Sequence, residues 1–180
     1  MIPTARRRLL APSLLFLAAL TVGCGGGPDD QPVPEGPPLD ACALFTFDDA
    51  RAVAGESIAP MASTFDEAKG RNPGECIYNS GTLEQPRILS LLIRPQTTVG
   101  RAKRLHESTR SSLNSMARGK LQDVPGLGDG AFWVGGQLQQ LHMRKGHRLF
   151  VITVQSPDGT DQLPRARQIA EKVLARLKRP

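Results

Sequence analysis

At 180 residues the length favours one ordinary domain with flanking segments over two full domains. Its 22% charged residues match a globular protein, which argues against disorder throughout, and no apolar run reaches the roughly 20 residues of a bilayer-spanning helix. A formal net charge of +6 raises the question of anionic partners.

The N-terminus is positive, ending in Arg6, Arg7 and Arg8, and the apolar run Leu9 to Val22 follows. Those 14 residues reach about 21 Å as a helix, short of a roughly 30 Å hydrocarbon core, so residues 1–23 read as a signal peptide. Leu20-Thr21-Val22-Gly23-Cys24 then places a small residue before a cysteine and resembles the lipobox of bacterial lipoproteins, with Thr21 where that family prefers a Leu-like residue. The resemblance implies that Cys24 becomes an acylated N-terminus on the outer face of a bacterial membrane or on the outer membrane. The other reading is a secretory signal with an incidental cysteine. Two or more acyl chains, at about 0.8 kcal/mol per buried methylene, hold a protein to the surface far more firmly than one.

Without residues 1–23 the formal charge falls from +6 to +3, so part of the basic balance belongs to targeting. The remainder is uneven. Residues 24–100 hold five Lys/Arg against eleven Asp/Glu, and residues 101–180 hold fifteen against six. Such halves can neutralise each other or present a basic face to anionic headgroups or envelope polymers. Nucleic acid is a poor match for an exported chain with 4% aromatics and no recognition motif.

Residues 24–38 read as a tether, because GGGPDDQPVPEGPP offers almost nothing to bury. At about 3.1 Å per residue it would hold the domain up to ~40 Å from the membrane. The folded part, residues 39–180, then begins near Leu39. With Cys24 assigned to lipid, Cys42 and Cys76 remain as the only pair in an oxidising setting, and a disulfide is expected. There is no CxxC and no histidine at ligand spacing to suggest a metal or redox site.

Thr46-Phe47-Asp48-Asp49 has capping-box spacing ahead of a short helix running to Gly55. Residues 56–75 are turn-rich without clear periodicity. Cys76 to Asn79 and Arg87 to Arg94 read as strands, the second a nearly continuous apolar run that suggests burial on both faces. Residues 98–118 set Val99, Ala102, Leu105, Thr109, Leu113 and Met116 at steps of three and four, the pattern of an amphipathic helix. A short strand near Lys120 to Val124 precedes a glycine-rich turn. Strands Ala131 to Val134, Gln137 to Arg144 and His147 to Gln155 follow, and their short breaks favour an antiparallel meander. The last of these, through Leu149-Phe150-Val151-Ile152, is the best candidate for a central strand. A closing helix from about Asp161 to Lys178 aligns Leu163, Ala166, Ile169, Val173 and Leu177.

Asp40-Ala41-Cys42-Ala43-Leu44-Phe45-Thr46, the second cysteine in Glu75-Cys76-Ile77-Tyr78, the turn Val124-Pro125-Gly126-Leu127-Gly128-Asp129 and the terminal helix together resemble exported lipoproteins with a PsbP-like or LpqN-like domain of unknown function. In those domains an aromatic, often Trp, sits two residues after the second cysteine; here it is Tyr78. The resemblance covers residues 40–178 and implies an α+β fold: a central antiparallel sheet with helices packed on both faces and one disulfide near the first helix. It implies a binding or accessory role, with no established catalytic residues and no cofactor.

Chemistry-bearing patterns are sparse. His106, His142 and His147 lack the spacings that bring two imidazoles to one metal and read as solvated or hydrogen-bonding side chains. Ser108, Ser111, Ser112 and Ser115 lie on a helix without a nucleophile-elbow context. Gly126-x-Gly128-x-Gly130 runs into a strand and lacks the Lys-Ser/Thr of a phosphate loop, so it reads as a turn. Phe132 and Trp133 are adjacent, so one should face outward unless both faces are covered. An exposed Trp133 beside Tyr78 or Phe150 would be the first ligand or partner contact. Arg101, Lys103, Arg104, Arg144, Lys145 and Arg148 form the candidate basic faces. The expected function is therefore a membrane-anchored, non-catalytic module docking an envelope protein or polymer. The alternative is a carrier of a small apolar ligand between sheet and helix, and an enzyme ranks last for want of a constellation.

Overall fold

The computed structural model describes residues 27–55, 58–60, 74–81, 86–117, 120–156 and 158–177. Two short helices come first, α1 (Ala41–Leu44) and α2 (Phe47–Ala54), and both start on side chains that satisfy their free N–H groups. Asp40 accepts from Cys42 N, and Thr46 and Asp49 form the expected reciprocal capping box. Strands β1 (Ile58–Pro60), β2 (Glu75–Gly81) and β3 (Pro86–Pro95) lead to the long helix α3 (Val99–Met116), followed by β4 (Leu121–Asp123), β5 (Gly130–Val134), β6 (Gln140–Lys145), β7 (Arg148–Gln155) and α4 (Leu163–Leu177).

All seven strands join one antiparallel sheet in the order β1-β2-β3-β7-β6-β5-β4. The expected meander is present as β5-β6-β7, and β7 does occupy the middle of the sheet. Its other neighbour is β3, with Leu91 opposite Ile152 and Ile93 opposite Phe150. That pairing brings together strands more than fifty residues apart in sequence, with α3 inside the connection.

One apolar core contains Leu89, Leu91, Leu141, Phe150 and Ile152 of the sheet, Leu44 and Phe45 near α1, and Ala166, Ile169 and Val173 of α4. Helix α4 contacts β6 and β7, as does α3. The disulfide between Cys42 and Cys76, with Cα atoms 5.0 Å apart, ties α1 to β2. Among the described residues no helix is long and apolar enough to cross a membrane.

Three departures from the sequence pattern have local causes. β1 lies inside the stretch without periodicity, because three residues cannot display a pattern. β6 starts at Gln140, later than expected, because Gly136 (φ 72°) and Gln139 (φ 44°) take left-handed conformations that cannot continue a ladder. The third departure concerns the tether. Pro28–Asp30 form a 3-10 turn against α3, with Arg104 Nη2 3.1 Å from Asp30 Oδ1, and further along Val33 N donates to Thr97 O at 2.9 Å. Much of the expected leash is therefore laid onto the domain.

Candidate functional site

A cleft of about 600 Å³ lies beneath the segment Pro32–Leu39. That segment forms a strap over the ends of β3 and β7. Its Val33, Leu39 and prolines face Ile93 and Pro95, and Gln96, Thr97, His147 and Arg148 supply the polar rim. Prolines fix φ and remove backbone donors, so the strap stays extended and leaves few N–H groups that a neighbour must satisfy. The floor is held by Gln96 N donating to His147 O at 2.8 Å and Ile93 N donating to Gly74 O at 2.7 Å. Burial, with the nearby Arg148 charge, lowers the His147 pKa and favours the neutral imidazole. The cleft has the size of a small-molecule site and suits an apolar body with one anionic or hydrogen-bonding end.

The candidate contact residues are dispersed by the fold. Cys24 lies outside the described residues. Trp133, a contact only if exposed, is 1% exposed, and its neighbour Phe132 is 0% exposed, so neither strand face at this point is open. Tyr78 is likewise buried: its hydroxyl donates to Phe45 O at 2.9 Å and its ring meets Phe45 edge-on at 5.2 Å. Both aromatics are core residues, which corrects their candidacy as surface contacts.

The two basic faces also part ways. Asp129 binds Lys145 Nζ at 2.8 Å, accepts from Gly146 N at 2.7 Å and lies 3.6 Å from Arg144 Nη1, while Arg144 Nη2 donates to Asp129 O at 3.2 Å. Arg144 and Lys145 therefore brace the hairpin between β6 and β7 and the glycine turn. Burial would raise the Asp129 pKa, but bonds from Lys145 and Gly146 outweigh it and lower it. Arg104 is held by Asp30. Arg101 and Lys103 stand exposed at the start of α3, and Arg148 lines the cleft.

Solvated or hydrogen-bonding histidines are expected from the sequence; His106 does bond the His142 backbone, but its ring and that of His142 are half-buried and pack on an aromatic. His142 stacks on Phe132 with centroids 4.8 Å apart and planes 6° apart, and His106 of α3 tilts over Phe132 at 4.9 Å. Both Nε2 atoms are buried without a hydrogen-bond partner among the described residues. Burial first, then the charges of His106 and Arg94, push His142 down to about 4. At neutral pH the two imidazoles are thus uncharged rings on Phe132, His106 reaching it from α3 and His142 from β6. Sequence spacing could not show this, because Phe132 and His142 meet only through the register of β5 on β6.

Among the described residues no group of three or more His, Cys, Asp or Glu is placed to hold a metal ion. No protein-family model, curated protein or solved structure matches the chain.

Proposed function

We propose that the protein is a lipid-anchored binding module of the bacterial envelope, of the PsbP-like or LpqN-like kind, which docks a partner and leaves it chemically unchanged. The observation that carries this reading is the strap cleft, a preformed concave surface whose rim holds Arg148 and His147 and whose walls are apolar. Internal pairing of Arg144 and Lys145 with Asp129 reduces the basic docking set to Arg101, Lys103 and Arg148.

The module is read as three layers, with α4 and α3 on opposite sheet faces. Strand alternation supports this. Trp133 and Leu141 belong to the core that includes Ile169 and Val173 of α4, whereas Phe132, one residue away, meets His106 of α3. A disulfide supports an oxidising compartment.

The cleft also favours a second reading, a carrier of a small amphiphile. Native mass spectrometry of the protein purified from its own cells, together with crosslinking from Arg148→Lys in intact cells, separates the two. A stoichiometric small ligand supports the carrier, and a crosslinked envelope protein or polymer supports the module. Retention of both adducts when the cleft is filled by Val33→Trp would remove the cleft from either account.

A further inference from the structure

The place where the chain enters the fold limits how the domain can sit on a membrane. The 3-10 turn Pro28–Asp30 is seated on α3 because residue 100 is glycine: a Cβ there would collide with the Asp30 carboxylate and lie 3.1 Å from Asp29 O. Arg104 grips the same carboxylate, and the Val33 bond to Thr97 fixes the chain a second time. The chain from Cys24 to Pro28, at no more than about 3.6 Å per residue, can extend at most about 14 Å, under two Debye lengths of about 8 Å at physiological salt.

The surface beside that entry point carries Arg101 and Lys103, both exposed, and the first turn of α3 holds no acid. Asp30 is already taken by Arg104, which leaves Asp29 as the acid of the turn against two further cations. Anionic headgroups attract cations within a Debye length, and a short connection to the anchor keeps the pair at high effective concentration.

We propose that this edge, Arg101 and Lys103 beside the docked turn, faces the bilayer and rests on anionic phospholipid headgroups, so that the domain is held flat against the membrane. The inference rests on the lipid-anchor reading. It also sets the strap cleft in the headgroup layer, since Thr97 both lines the cleft and holds the strap. An amphiphile or a membrane-bound partner would then reach the cleft without crossing open water.

The test uses the mature lipidated protein in vesicles of equal parts phosphatidylcholine and phosphatidylglycerol, in phosphatidylcholine vesicles and in detergent micelles. Amine acetylation is followed at each lysine by mass spectrometry. Lys103 should react about tenfold more slowly on the anionic vesicles than in micelles, with a smaller effect on the neutral ones, while Lys172 on α4 keeps its rate. Equal rates at Lys103 and Lys172 in protein that sediments with the vesicles overturn the orientation and leave the anchor standing. Protein that lacks an acyl mass at Cys24 and stays in the supernatant overturns both. Gly100→Ala, which evicts the turn, should restore Lys103 reactivity without releasing the protein, as should Val33→Pro, which removes the second fixing bond. Persistent protection in both variants would show that docking of the turn does not set the orientation.

Discussion

Arg176, in the last turn of α4, donates to the carboxylate of Asp49 in the first turn of α2, and its Nη1 also donates to Leu44 O at 2.7 Å. Asp49 is 5% exposed, accepts from the Thr46 hydroxyl at 2.8 Å and lies 3.2 Å from Lys172 Nζ. One carboxylate thus caps a helix and clamps the two ends of the domain together.

Removing the guanidinium strands a buried charge and a buried carbonyl. Arg176→Ala should lower the unfolding free energy by about 2–3 kcal/mol, against less than about 1 for Arg110→Ala at the exposed pair with Asp123. Burial alone would raise the Asp49 pKa, but bonds from Arg176, Thr46 and Lys172 hold it well below its usual 3.8. A depressed carboxyl stabilises the fold fully above its ordinary value and less as pH falls below it. Urea unfolding below pH ~4 should therefore show a shallower acid limb in the variant.

The histidines act earlier on the pH scale. His142 is lowered from 6.5 to about 4, and His106 is lowered by burial and by Arg144 and Arg110, partly offset by the His142 backbone and Glu107. Lowered values mean that the folded state prefers neutral rings. Their contribution is complete above 6.5 and is lost as pH drops toward 4. For His142 the loss should be on the order of 3 kcal/mol, and His142→Phe, which keeps a ring on Phe132, should flatten the slope between pH 7 and 4. An unchanged slope in that variant would show that His142 is not the titrating group.

The Cys42–Cys76 bridge closes a loop with a sequence separation of 34. The double variant Cys42→Ser/Cys76→Ser should lose roughly 3–4 kcal/mol of stability, with the melting temperature of the parent falling similarly on reduction. Thiol labelling of the unreduced, unfolded protein should find neither cysteine free.

Gly128 has φ 59°, and a Cβ there would run into the Arg144 carbonyl, a backbone atom already accepting from Asp129 N at 2.8 Å. Gly146 has φ 57° but open space around it. Gly128→Ala should therefore cost more than about 2 kcal/mol and Gly146→Ala about 1, measured by thermal unfolding. Equal costs would mean that backbone conformation alone decides both sites.

The elements whose reason is local are legible in the linear chain. Thr46 and Asp49 announce the capping box, α4 shows its 3.6-residue stripe and β7 an apolar run, because each depends on neighbours within one or two turns of chain; α3 forms as a helix, but of its expected stripe Ala102 is buried while Leu105 and Met116 stay exposed. The disulfide follows from counting cysteines. What the linear chain conceals is distance. The pairing of β3 with β7, the burial of Trp133 and Tyr78, the imidazoles against Phe132 and the capture of Arg144 and Lys145 by Asp129 all need partners brought together by register. The strap is the clearest case. A run of prolines and glycines has nothing to bury on its own account and reads as a tether, but the missing Cβ of Gly100, seventy residues away, makes a seat for Asp30, and Thr97 offers a carbonyl to Val33. Composition determines whether a segment can form a core of its own. Only the assembled surface decides whether there is something for it to lie on.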